Sequence, residues 1–111
     1  MFQTLTMDQA NSNFQPTCLK GYVTTTFADL VKTFGAPTYP TGDDYKTDAE
    51  WRLKTDQGII TIYNYKDGKN YNGKEGLATK KITDWHVGGE GNDNTDTLLV
   101  VDFVKAQLGL I

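Results

Sequence analysis

Apolar residues recur along this chain in two rhythms, and the change of rhythm marks its elements. Phe27, Leu30, Val31 and Phe34 fall at i, i+3, i+4 and i+7, the stripe of an amphipathic helix. Thr25 or Thr26 caps its start, and Asp29 sits in the first turn, where a negative charge suits the helix dipole. Gly35 ends it and Pro37 prevents its resumption. A second helix is expected from Thr97 to Leu108. Its buried stripe is Val100, Val101, Val104 and Leu108, with Phe103 beside it. Asn94 or Thr95 is its expected cap, Asp96 lies in its first turn, and Gly109 ends it.

Between the helices the period falls to two. In 49–55, AEWRLKT, Trp51 and Leu53 point one way and Glu50, Arg52 and Lys54 the other. Residues 56–58, DQG, make a short turn. The run 59–65, IITIYNY, is apolar on both faces at its start, as a central strand requires. The run 81–87, KITDWHV, closes a three-stranded meander, and 20–25, KGYVTT, has the composition of a fourth strand. Residues 1–19 form an N-terminal arm, either loosely ordered or pinned by Phe2, Leu5 and Phe14. Residues 20–111 form one domain. The expected fold is α+β, a three- to four-stranded antiparallel sheet with two helices packed on one face.

Three segments break the pattern. Residues 36–48 make a polar loop with two prolines and a glycine. Residues 66–80 carry three glycines, two asparagines and four lysines, a composition that predicts a long loop rather than a packed element, with a hairpin-like tip at Asp67–Gly68. Gly88 and Gly89 open a second glycine-rich segment, 88–94.

The chain has 111 residues and a net charge of -3, which argues against a general nucleic-acid binder with its basic face. The charge is uneven: Lys66, Lys69, Lys74, Lys80 and Lys81 precede a stretch, 82–102, with five acids and no Lys or Arg. Cys18 is the one cysteine, so no intramolecular disulfide forms, which suits a reducing compartment. The first residues lack the basic and apolar regions of a secretory signal, and no run approaches the 18 or so apolar residues of a membrane span. These features predict a protein of the cytoplasm without a membrane partner.

The chemistry is sparse. With one histidine, His86, and one cysteine, a zinc site of the common Cys/His kind cannot be assembled from one chain. Asp43, Asp44, Asp48 and Glu50 lack the alternate spacing of a calcium loop and read as a solvated cluster. Neither a phosphate loop nor a dinucleotide fingerprint is present, and no cofactor is expected. Glu50, Arg52 and His86 supply a base, a cation and an acid of the kind that small ribonucleases spread over an antiparallel sheet, if the central strand lets them meet.

The better candidate is a binding surface. Tyr63, Tyr65 and Tyr71, with Lys66, Lys69 and Lys74, border the long loop, and Trp85, His86, Gly88 and Gly89 come from the adjoining strand end. Aromatic faces with lysines and backbone N–H groups suit a nucleotide-like ligand, and tyrosine and tryptophan anchor protein interfaces equally well. The helix from Thr97 also carries Leu98 and Leu99, more apolar surface than one buried stripe needs. That excess, with Leu110 and Ile111, predicts a homodimer through the C-terminal helix.

The segments EWRLKTDQGIITIYNYKDG (50–68) and ITDWHVGG (82–89), with TTFADLVKTFGAP (25–37) and the aspartate-rich loop, resemble small proteins of bacteriophage genomes. The resemblance covers residues 20–108 and transfers no catalytic residues. It implies a non-enzymatic phage accessory protein that binds stoichiometrically, as an inhibitor of a host defence protein or a sponge for a nucleotide signal. A virion structural or assembly component and a small nuclease using Glu50 and His86 are the other readings.

Overall fold

The computed structural model describes residues 1–91 and 97–111. The expected α+β class holds, with a larger sheet than the sequence pattern implies: five antiparallel strands. The meander comprises β3 (Glu50–Thr55), β4 (Gly58–Tyr63) and β5 (Asp84–Gly89), with β4 central. Strand β2 (Cys18–Thr24) pairs with β5 along one edge, and β1 (Phe2–Thr4) pairs with β3 along the other. At the β3–β4 turn Gly58 takes φ 87°, a conformation that strains any residue with a Cβ.

Alternation along each strand sorts the sheet into two faces. Trp51, Leu53, Ile60, Ile62, Trp85 and Val87 are all fully buried on one of them. Helices α2 (Phe27–Phe34) and α4 (Thr97–Gln107) cover that face through Leu30 and Phe34, and through Val100, Val101 and Val104. Thr26 is the observed cap of α2, its hydroxyl accepting from the Asp29 amide at 3.1 Å. Trp51 and Trp85 meet edge to face at 5.6 Å between ring centroids, with Phe27 against both. The expected cap and first turn of α4, at Asn94, Thr95 and Asp96, lie outside the described residues.

The N-terminal residues take the pinned alternative. Phe2 joins the core against Phe34 at 5.3 Å and Phe103 at 6.3 Å, and β1 covers the outer edge of β3. A capping box between Thr6 and Gln9 starts the short helix α1 (Met7–Ser12). Tyr39 donates its hydroxyl hydrogen to Asn11 Oδ1 at 2.7 Å, tying this helix to the loop before β3.

Two loop expectations are corrected. Segment 66–80 is folded, into a single helical turn, α3 (Lys69–Asn72), and two 3-10 turns, Gly73–Glu75 and Thr79–Lys81. It has no hairpin tip at Asp67–Gly68; Gly68 bridges Leu77 in parallel. A buried polar lock holds it in place. Asn64, fully buried, accepts from the Asp48 and Ala49 amides and donates to Asp48 Oδ1 and Asp67 Oδ1. Asp48 Oδ2 accepts from the Asn70 amide at 3.1 Å. Gly88 and Gly89 do not open a loop but end β5, paired with Leu19 and Cys18. A Cβ at Gly88 would collide with the hydroxyls of Thr61 and Thr17, so close strand contact demands glycine there.

Candidate functional site

The face of the sheet opposite α2 and α4 is polar and aromatic. Register aligns one row across four strands: Glu50 beside Tyr63, Tyr63 beside His86, His86 beside Tyr22. The segment after α1 covers the Glu50 end of the row, and the Tyr22 end is open.

At the covered end Glu50 and Arg52 are about 95% buried, not outward and solvated as alternation alone implies. Arg52 Nε donates to Glu50 Oε2 at 2.8 Å, Arg52 Nη1 donates to the Gln15 carbonyl at 2.7 Å, and the guanidinium stacks on Phe14 at 4.2 Å. Glu50 Oε1 has no hydrogen bond from any described residue, yet it is not sealed from solvent. It belongs to the lining of an open cleft of about 240 Å³, shared with Tyr63, Tyr65, Asp43 and Asp44. Burial pushes the Glu50 carboxyl up to about 7, Arg52 opposing and Asp43 and Asp44 adding to the rise. Burial, then the Glu50 charge, also raises Tyr63. The solvated acidic cluster is thus corrected: Asp43 and Asp44 are exposed, whereas Asp48 and Glu50 are buried in separate networks.

At the open end the rings form a ridge. His86 lies 4.9 Å from Tyr22, 5.4 Å from Tyr63 and 5.2 Å from Tyr65, centroid to centroid. Burial lowers its pKa, partly offset by Asp67, so the imidazole is neutral at pH 7. The Lys66 ammonium sits over two rings, Tyr65 at 5.2 Å and Tyr71 at 5.4 Å. Tyr71 in turn stacks on Tyr45 at 5.9 Å, with Lys46 over Tyr45. Lys66 is the one non-glycine among the described residues with positive φ, 61°. Its amide donates to the Lys46 carbonyl and its carbonyl accepts from Asn72, which holds this conformation.

Of the sequence candidates, Tyr63, Tyr65, Lys66, Tyr71 and His86 come together on this face. Lys69 and Lys74 are exposed on the turns beyond it and lie over no ring. Trp85 is core, on the helix-covered side, and Gly88 and Gly89 are buried strand positions, so these three leave the surface. Tyr22 and Tyr45 were missed. Alternation with the inward Val23 signals an outward Tyr22, whereas Tyr45 has no local signal. For the trio Glu50, Arg52 and His86, the central strand does not let the acid and base meet, because Tyr63 stands between Glu50 and His86 in the register. Two of the Arg52 nitrogens are already engaged. Among the described residues no group of three or more Asp, Glu, His or Cys is placed to hold a metal ion.

Comparison with known proteins finds no matching family model, no matching curated protein and no matching solved structure. No helix among the described residues is long and apolar enough to cross a membrane.

Proposed function

We propose that this protein acts by stoichiometric binding, presenting the ridge Tyr22–His86–Tyr65–Tyr71–Tyr45 to a protein partner. One observation carries the reading: four of these tyrosines keep 39–63% of their surface exposed while each touches a ring or ammonium neighbour. A tyrosine fixed by its neighbours gives up little freedom on binding, and its apolar body with a polar tip suits an interface. The partner proposed is a host protein, with inhibition by occlusion as the outcome.

A second reading has its own support. The Tyr45–Tyr71 stack flanked by Lys46 and Lys66 offers ring faces for a base and ammonium groups for phosphate, as a nucleotide sponge needs. Exposed Leu98, Leu99, Leu110 and Ile111 support the homodimer as a separate feature.

Native mass spectrometry of protein isolated from its host background tests both readings. Retention of a protein in fixed ratio, lost in a Tyr45→Ala/Tyr71→Ala variant, supports the first. A retained nucleotide mass, lost in the same variant, supports the second. Isolation with neither overturns both.

A further inference from the structure

The cleft at the covered end of the row adjoins the ridge, sharing Tyr65 with it, and has a chemistry of its own. Its walls are aromatic: Phe14 from the segment after α1, Tyr63 from β4 and Tyr65 just beyond it. Its ionisable lining is Asp43, Asp44, Glu50 and Arg52, three carboxylates against one cation. Arg52 is engaged through Nε with Glu50 Oε2 and through Nη1 with the Gln15 carbonyl, so its charge is met by Glu50. The carboxylates of Asp43 and Asp44 then leave the lining net negative. Glu50 Oε1 accepts no hydrogen bond from any described residue although Glu50 is about 95% buried. The Asp43 carboxylate likewise has no hydrogen-bonded or ion-paired partner among the described residues.

Size narrows the class. About 240 Å³ lies below the roughly 300–1,000 Å³ of pockets for drug-sized ligands. A single side-chain-sized group fills such a cleft, whereas a nucleotide would extend well beyond it. We infer that this cleft is a binding site for an organic cation, an ammonium or guanidinium group on a short apolar stem, with Glu50 Oε1 and Asp43 receiving the charge and Tyr63 and Tyr65 flanking the stem. An anion would meet the carboxylates of Asp43 and Asp44, which no ion pair among the described residues offsets, and is disfavoured by the same lining. Of the ridge the site uses Tyr65 alone: a free amine or a lysine or arginine side chain of a partner presents the same chemistry.

Protein NMR titration tests this on the whole chain. The probes are n-butylammonium and n-butylguanidinium, with n-butylsulfonate and n-butanol as controls. The peptide arm uses capped tripeptides with central lysine or arginine. The expected result is saturable shifts at Tyr63, Tyr65 and Asp43 with the cations only, at a dissociation constant on the order of 1 mM. Binding strengthens from pH 6 to pH 8 as Glu50 loses its proton, with Arg52, Asp43 and Asp44 the charged groups facing it. Glu50→Gln weakens it about tenfold, and Asp43→Asn, an exposed substitution that leaves the fold untouched, about threefold. Response to the free amines alone assigns the site to small amines; response to the peptides alone assigns it to a partner's side chain. No saturable shift with any cation overturns the site, as does equal response to the sulfonate, or indifference to both pH and Asp43→Asn. Because ridge variants are not used, failure here leaves the partner-binding reading standing, and failure of that reading leaves the cleft.

Discussion

Glu50 and Arg52 form a bonded pair two positions apart on one strand, almost wholly removed from water on the polar side of the sheet. Burial of the carboxylate outweighs the attraction of its partner, so Glu50 is raised from 4.5 to about 7. A folded-state pKa above the unfolded value means that the proton stabilises the fold. That stabilisation is fully present below about pH 4.5 and is lost as pH rises through about 7.

The expected outcome is a pH-dependent difference between wild type and Glu50→Gln. Between pH 8 and pH 4.5 wild type gains about 3 kcal/mol relative to the variant, which has no proton to bind at this position. Urea unfolding of both proteins across that range measures it. A difference independent of pH would mean that Glu50 titrates normally.

The Asn64 side chain carries four hydrogen bonds in a fully buried position. Asn64→Ala leaves two amides and the Asp48 carboxylate short of partners, at a cost of about 3 kcal/mol or more. Because the same lock anchors segment 66–80, amide exchange should rise at Asn70 and Leu77 before it rises in β4. Chemical denaturation and hydrogen exchange of this variant check both expectations.

The meander was legible because its signals are local: alternation in β3, a doubly apolar start in β4, and Trp85 against His86 in β5. Strand β1 was not, since three residues give no period, and what makes them a strand is the open edge of β3 and the slot between Phe34 and Phe103. Segment 66–80 reads as a loop by composition and folds because Asp48, distant in sequence, and Asn64, just before the segment, supply hydrogen bonds to it. The candidate site divides in the same way. Tyr63, Tyr65, Lys66, Tyr71 and His86 announce themselves by type and position. The burial of Glu50 does not, because it depends on where Phe14 and Gln15 return over the sheet.

Lys66 in the left-handed region costs about 1 kcal/mol relative to glycine. Lys66→Gly should therefore be more stable than Lys66→Ala by about that amount, although neither retains the ammonium over Tyr65 and Tyr71. Both variants should lose partner binding alike. Thermal unfolding separates the backbone effect from the ring contacts; equal stability of the two would show that the conformation carries no strain.

Tyr71 lies at the junction of the ridge, between the Lys66 ammonium and the Tyr45 ring, and 44% of its surface is exposed. Its substitution separates binding from folding more cleanly than that of Tyr63, which is half-buried in the row. Tyr71→Ala removes an exposed ring from a helical turn with no buried residue, so unfolding free energy should change by about 1 kcal/mol or less. Partner affinity, measured by calorimetry with the retained protein, should fall at least about thirtyfold, the scale of an interface hot spot. A matching loss at Tyr22→Ala, at the far end of the ridge, would extend the contact surface across β2. Full affinity in both variants would place the interface elsewhere, with exposed Leu98 and Leu99 of α4 the next surface to substitute.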